Sequence, residues 1–320
     1  MAPIDELDLD VPEVLRRVAQ RLAGLPTADR ALAERTLDRV QPPNWTLEWR
    51  LPWWLGRAFG LPSPLAREVV VSNVIGLIGI RLEDDTADGE LAEVDPATAR
   101  RVAAALVDEA VAVYRPLFDA SSPFWAELRA ILARWRAADD RLHGRAGDPS
   151  SIAALAHRAA PLQIGARAVC RLAGREAAWP DLERCLDHGL AALALYDDVC
   201  DWERDVDAGR WNAFVARVGV ASQVPEQRDR NRAAVRVAML TRGAAGEALE
   251  RVRDEALRCS AAAAALGVEP LAAHFRWLAD RAVEQGAAVD RHYASLADRM
   301  TQLFLDPSSV AQSPVAGGAR

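Results

Sequence analysis

The chain has 320 residues, 51% of them hydrophobic and 27% charged, which is enough apolar material to bury a large core. Its formal net charge of −7 argues against nucleic acid as a partner, because affinity for a phosphate backbone rests on basic contacts. All 39 basic residues are Arg, which excludes Schiff-base lysine chemistry and any phosphate loop that depends on Lys.

Residues 1–10 are acidic, are expected to be flexible, and lack the basic-then-apolar layout of a signal peptide. Val11 to Leu25 carries apolar residues at helical intervals and is closed by Gly24 and Pro26. Thr27 predicts an N-cap for a helix running to about Val40. The next stretch, Gln41 to Trp54, is broken by prolines and holds four of the ten tryptophans. It reads as an irregular linker packed on a bundle; the alternative is a wall of aromatic faces, whose negative quadrupole stabilises cations.

Ser63 to Asp88 predicts a helix stopped by Gly89, Pro96 to Tyr114 a second, and Ser122 to about Arg141 a third. The longest uncharged run, Val69 to Ile80, is too short to span a bilayer, so a cytoplasmic protein with no membrane span is expected. Gly144 to Pro149 is a loop of turn formers. The helix that resumes at Ser150 must kink at Pro161 and Gly165, because proline lacks an N–H and clashes with the carbonyl four residues back.

Asp181 to Asp205 predicts another long helix, with Gly209 just past its end. Gln223 to Leu266 reads as one or two helices interrupted near Gly243 and Gly246, and Pro270 begins the last. From Asp306 to Arg320, Pro, Ser, Gly and Ala dominate, the composition of a disordered tail. The pattern is that of an all-α fold, with residues 11–305 as one helical domain. Cys170, Cys185, Cys200 and Cys259 form no CxxC and no zinc spacing, and are expected to be reduced, buried and inert.

Two stretches carry chemistry. The apolar run from Leu190 ends in Asp197-Asp198-Val-Cys-Asp201-Trp-Glu-Arg204-Asp205, and the run from Val69 ends in Arg81-Leu-Glu83-Asp84-Asp85-Thr-Ala-Asp88. Asp197, Asp201 and Asp205 are each four apart, as are Asp84 and Asp88, so each set stacks on one helix face. Like charges at that spacing cost roughly 0.2–0.5 kcal/mol per pair unless a cation sits between them. Mg²⁺ takes oxygen ligands and is typically held by one or two carboxylates plus phosphate oxygens. Two such ends facing each other across a bundle would bind a metal-bridged diphosphate.

These motifs resemble the two aspartate-rich motifs of the class I isoprenoid synthase superfamily, which contains terpene cyclases and trans-prenyl diphosphate synthases. The resemblance implies a helical bundle around a central apolar pocket, three Mg²⁺ ions, an allylic prenyl diphosphate as substrate, and a homodimer. Residue by residue, Asp84, Asp85 and Asp88 match the first motif. In the second, Asp197, Asp198 and Asp201 read as the synthase-type DDxxD, whereas Asp197, Asp201 and Asp205 occupy the metal positions of the cyclase-type motif. Arg158 stands near a basic diphosphate contact of the family, with solvent exposure as the simpler reading. Gly209-Arg210 resembles the Gly-Lys that follows the synthase motif, and Arg204 and Arg210 come within reach of the mouth. Arg291 and Tyr293 resemble the Arg-Tyr pair with which cyclases seal the diphosphate end.

The resemblance leaves two reactions. Elongation needs a second diphosphate site, supplied in the family by a Gly-Lys and by an Arg-Arg soon after the first motif. Here there is no Lys and Arg100-Arg101 arrives late, so cyclisation of farnesyl or geranylgeranyl diphosphate is the favoured expectation and elongation with isopentenyl diphosphate the alternative. Arg158 and Tyr293 are expected to assist departure of the diphosphate. No Glu-x-x-His pair is present for a di-iron site. A non-catalytic helical interaction protein with solvated acidic ends is the remaining reading.

Overall fold

The computed structural model describes residues 9–42, 45–87, 89–91, 93–143, 151–220 and 227–305. Among them are thirteen α-helices and no strand. They are α1 (Val11–Leu22), α2 (Thr27–Arg39), α3 (Thr46–Phe59), α4 (Ser63–Ala87), α5 (Pro96–Tyr114), α6 (Phe124–His143) and α7 (Ile152–His157). They continue with α8 (Leu162–Leu172), α9 (Trp179–Ala208), α10 (Ala213–Arg217), α11 (Arg228–Arg242), α12 (Ala244–Ala265) and α13 (Glu269–Leu305). The loop expected at Gly144 to Pro149 and the tail from Asp306 lie outside the described residues, as do residues 1–8.

The long helices follow from their apolar periodicity, and their ends from local chemistry. Asp10 and Asp95 cap α1 and α5 by accepting the backbone N–H of Glu13 and Thr98. Gly209, at φ +69°, ends α9 in the left-handed conformation that costs glycine least. Thr27 is not an N-cap; it is the first helical residue of α2, and Pro26 before it offers no side-chain bond. One buried core runs from Leu9 through Ala282, and α9 packs against α7, α10 and α12 within it.

The segment read as an irregular linker is a helix, and the reason is a side chain from elsewhere. Pro52 cannot donate to the carbonyl of Glu48, four residues back. Asn73 of α4 does so instead, its Nδ2 donating to the Glu48 carbonyl. The helix therefore continues through the proline and buries Trp49, Trp53 and Trp54 completely. Packing is the role of those three tryptophans, and Trp45, just ahead of the helix, is the one that faces a cavity.

The expected break near Pro161 is present. Helix α7 stops at His157, the chain turns through residues 158–161 with bonds to carbonyls three back, and α8 starts at Leu162. Gly165 is what lets α8 pass: a Cβ there would lie 3.0 Å from Pro52 Cγ and 3.2 Å from Asn73 Oδ1. Gln163, fully buried, holds the same turn from behind by bonding Arg134 of α6 and Asp187 of α9.

Of the cysteines, Cys170, Cys185 and Cys259 are buried as expected, whereas Cys200 is exposed. No helix among the described residues is long and apolar enough to cross a membrane.

Candidate active site

A cavity of about 640 Å³ opens between the C-terminal ends of α4 and α9. Along α4 it is lined by Ser72, Asn73, Gly76, Leu77, Ile80, Arg81 and Asp84, one helix face read from bottom to top. At about 1.5 Å per residue, Ser72 lies roughly 18 Å below Asp84. Along α9 the same wall runs from Leu190 through Leu193 and Ala194 to Asp197, Asp198, Asp201 and Asp205. Helix α5 contributes Val107, Ala110, Val111 and Tyr114, and α6 contributes Leu128, Leu132 and Trp135. The depth is apolar and the mouth is ionic.

The mouth has a definite charge imbalance. Seven carboxylates line the cavity (Glu48, Asp84, Glu90, Asp197, Asp198, Asp201 and Asp205) against four guanidinium groups (Arg81, Arg158, Arg204 and Arg210), a formal excess of three negative charges. Burial pushes the Asp197 carboxyl above the usual range, and its neighbours Asp201 and Asp198 push it further. Glu48 is pushed up to about 7 by burial, with Asp197 adding to the effect.

Several of these groups are already oriented by neighbours. Asp198, 2% exposed, pairs with Arg158 at 2.8 Å and accepts the backbone N–H of Ala213 at 2.9 Å. Burial still pushes its carboxyl up, opposed by Arg158 and that N–H. Arg158 lies 5.7 Å from the Trp211 ring centre, a cation–π distance. Asn212, fully buried, donates to the Asp198 carbonyl and to Asp205 Oδ2, both at 2.8 Å, while Arg210 holds Asp205 Oδ1 at 3.0 Å. Arg204 pairs with Asp201 at 2.5 Å on the exposed side of α9.

The motif residues therefore divide. Asp84, Asp197, Asp198, Asp201 and Asp205, with Arg158, Arg204 and Arg210, share one cavity. Asp85 does not line it: fully buried one position along α4, it pairs with Arg39 at 2.9 Å and Arg81 at 2.7 Å. Asp88 lies outside the described residues. Arg291 and Tyr293 are not at the mouth. Tyr293 lines a separate surface groove with Trp202 and Leu240, and its hydroxyl donates to Met239 Sδ at 3.3 Å. The loose spacing of that pair gave no register, and α13 carries it past the outer side of α9.

Sequence reasoning missed Glu48, Glu90, Arg81 and Asn212. Glu48 was hidden in a segment read as linker, and the other three lie in motif flanks whose long-range partners no local pattern reveals.

The donor set fits a hard divalent cation. Carboxylate oxygens from two walls face a space with surplus negative charge, as Mg²⁺ requires. Among the described residues no three His, Cys, Asp or Glu side chains converge to hold an ion by themselves, so an ion held here would need further oxygens from a ligand or water.

No family model and no curated protein matches the chain. Solved structures do. A geranylgeranyl pyrophosphate synthetase from the archaeon Geoglobus acetivorans matches 85% of this chain and 97% of its own, with a TM-score of 0.67 at 16% identity. A polyprenyl synthase from Caulobacter crescentus CB15, complexed with calcium and isoprenyl diphosphate, matches 86% of this chain and 94% of its own, with a TM-score of 0.65, also at 16% identity. The chain therefore shares the all-α fold of these two solved structures.

Proposed function

We propose that this protein ionises a prenyl diphosphate with the help of Mg²⁺ bound at the cavity mouth. One observation carries the reading: Asp84 on α4 and Asp197, Asp201 and Asp205 on α9 line the rim of a single cavity whose depth is apolar. Asp84, Asp197, Asp201 and Asp205 are the residues that would hold metal. When bound, Mg²⁺ supplies Lewis-acid stabilisation of the charge that builds on the departing diphosphate.

The chain's own residues do the rest. Arg158, set at the α7–α8 break and steadied by Asp198, and Arg210, steadied by Asp205, aim guanidinium donors at the mouth, where they can grip departing oxygens bidentately. Leu77, Ile80, Val107, Val111, Leu128 and Leu132 take the hydrocarbon and keep water from the cation left behind. The Trp45 and Trp211 faces at the rim favour positive charge nearby.

For the fate of that cation, chain elongation with isopentenyl diphosphate is the first reading. It is supported by the solved neighbours, a geranylgeranyl pyrophosphate synthetase and a polyprenyl synthase, and it displaces the cyclase expectation drawn from the motifs. Cyclisation is kept second on one observation. Arg101 is turned away from the cavity into a bidentate pair with Asp29 of α2, at 2.5 and 2.8 Å, so it offers nothing to a second diphosphate.

Diphosphate release measured with geranyl, farnesyl and geranylgeranyl diphosphates, with and without Mg²⁺, tests the proposal. Metal-dependent release with at least one is expected, and none with any of them rules the activity out. Adding isopentenyl diphosphate and analysing products by mass spectrometry decides the second question. Longer prenyl diphosphates mark elongation, and cyclic hydrocarbons or alcohols formed without it mark cyclisation.

A further inference from the structure

Among the described residues, Glu90 is a carboxylate at the mouth that pairs with arginines from both walls. Glu90 follows α4, and its backbone is fixed by the helix end, where Gly89 takes φ +70° and the Glu90 N–H donates to the Asp85 carbonyl at 2.9 Å. Its side chain reaches three guanidinium groups. Arg210 from the α9 side lies at 3.3 Å, Arg81 of α4 at 3.6 Å and Arg39 of α2 at 4.0 Å.

Each of those arginines has a second carboxylate that anchors it. Arg39 and Arg81 hold the fully buried Asp85, and Arg210 holds Asp205. Glu90 is the shared partner and, with a third of its side chain exposed on a loop, the one that moves most cheaply. It sits where an anionic oxygen between the two walls would sit.

We infer that Glu90 is an internal counter-ion that occupies the guanidinium groups of the two walls and that the incoming diphosphate displaces. This rests on the proposed function, since the ligand is the same diphosphate. Because Asp85 and Asp205 keep the arginines in place without it, neutralising Glu90 removes a competitor and leaves the donors aligned.

The test is binding of inorganic diphosphate with Mg²⁺ by calorimetry to the full chain, comparing wild type, Glu90→Gln and Glu90→Asp. Glu90→Gln is expected to bind at least about threefold more tightly, with Glu90→Asp near wild type and the melting temperature of Glu90→Gln not raised. A purely structural role would lower the melting temperature and weaken binding. Equal or weaker binding by Glu90→Gln, where wild type binds, overturns the inference alone. Absence of binding by all three overturns it together with the proposed function.

Discussion

Arg158 and Asp198 meet at 2.8 Å across the gap between the α7–α8 break and α9, and this pair ties the one irregular turn in the wall to the second acidic motif. Asp198 thus serves two masters, a guanidinium at the mouth and the Ala213 N–H that starts α10. Replacing it with Ala strands Arg158 beside a cavity and leaves a buried N–H unpaired. Breaking a buried pair costs about 3–5 kcal/mol, so Asp198→Ala is expected to lose most of that in urea unfolding, whereas Arg204→Ala, on the exposed side of α9, loses less than about 1 kcal/mol.

The carboxylates proposed to hold metal should separate stability from chemistry. Burial raises the Asp197 carboxyl most and its like-charged neighbours Asp201 and Asp198 add to the effect, so removing it relieves both costs in the metal-free protein. Asp197→Ala and Asp84→Ala are each expected to cut diphosphate release by at least about 10²-fold without lowering the melting temperature. A melt that falls in step with activity would instead give those residues a structural role.

Glu48 predicts a pH dependence of stability. Burial pushes its carboxyl up to about 7, above the ordinary Glu value of about 4.5, so as pH rises the unfolded chain ionises first and the folded state is progressively disfavoured. Stability should fall between about pH 4.5 and 7 and level off above, by roughly 3 kcal/mol in all. Glu48→Gln keeps the shape and removes the ionisation. Denaturant midpoints at pH 5 and 8 should converge in the variant and differ in wild type.

Helix α9 crosses α12 and α13 at Gly189, where a Cβ would lie 2.4 Å from Phe275 Cζ and 2.8 Å from Cys259 Sγ. Both neighbours are fully buried and have nowhere to go. Alanine gains up to about 1 kcal/mol of helix propensity, but overpacking of this kind typically costs 1–3 kcal/mol or more. Gly189→Ala is expected to be destabilised by about 1–2 kcal/mol in chemical denaturation.

What the sequence reveals, and what it hides, divides along the range of the forces involved. The Pro96 start, the Gly209 stop and the spacing of Asp197, Asp201 and Asp205 are local, and each is legible in a few consecutive residues. The continuity of α3 is not, because the donor that replaces the missing Pro52 N–H comes from Asn73 on another helix. Asp84 and Asp85 are adjacent and chemically identical, yet one faces the cavity and the other is sealed against Arg39 and Arg81. The 100° turn between neighbouring helical residues makes that difference, and only the packing of α2 shows which side is which. Tyr293 failed for the same reason: a residue type without a register carries no address.

The lower end of the cavity rests on Tyr114, whose ring stands 4.9 Å from Phe124, itself stacked on Phe118 at 4.1 Å. These rings come from the end of α5, the start of α6 and the segment between them, none of which carries an acidic motif. On the proposed function, hydrocarbon length and charge handling would therefore fall to separate parts of the chain, and an exchange such as Tyr114→Ala would deepen the vessel without disturbing its rim. A fold arranged this way can change the size of what it accepts in few steps while the chemistry at the top stays as it was.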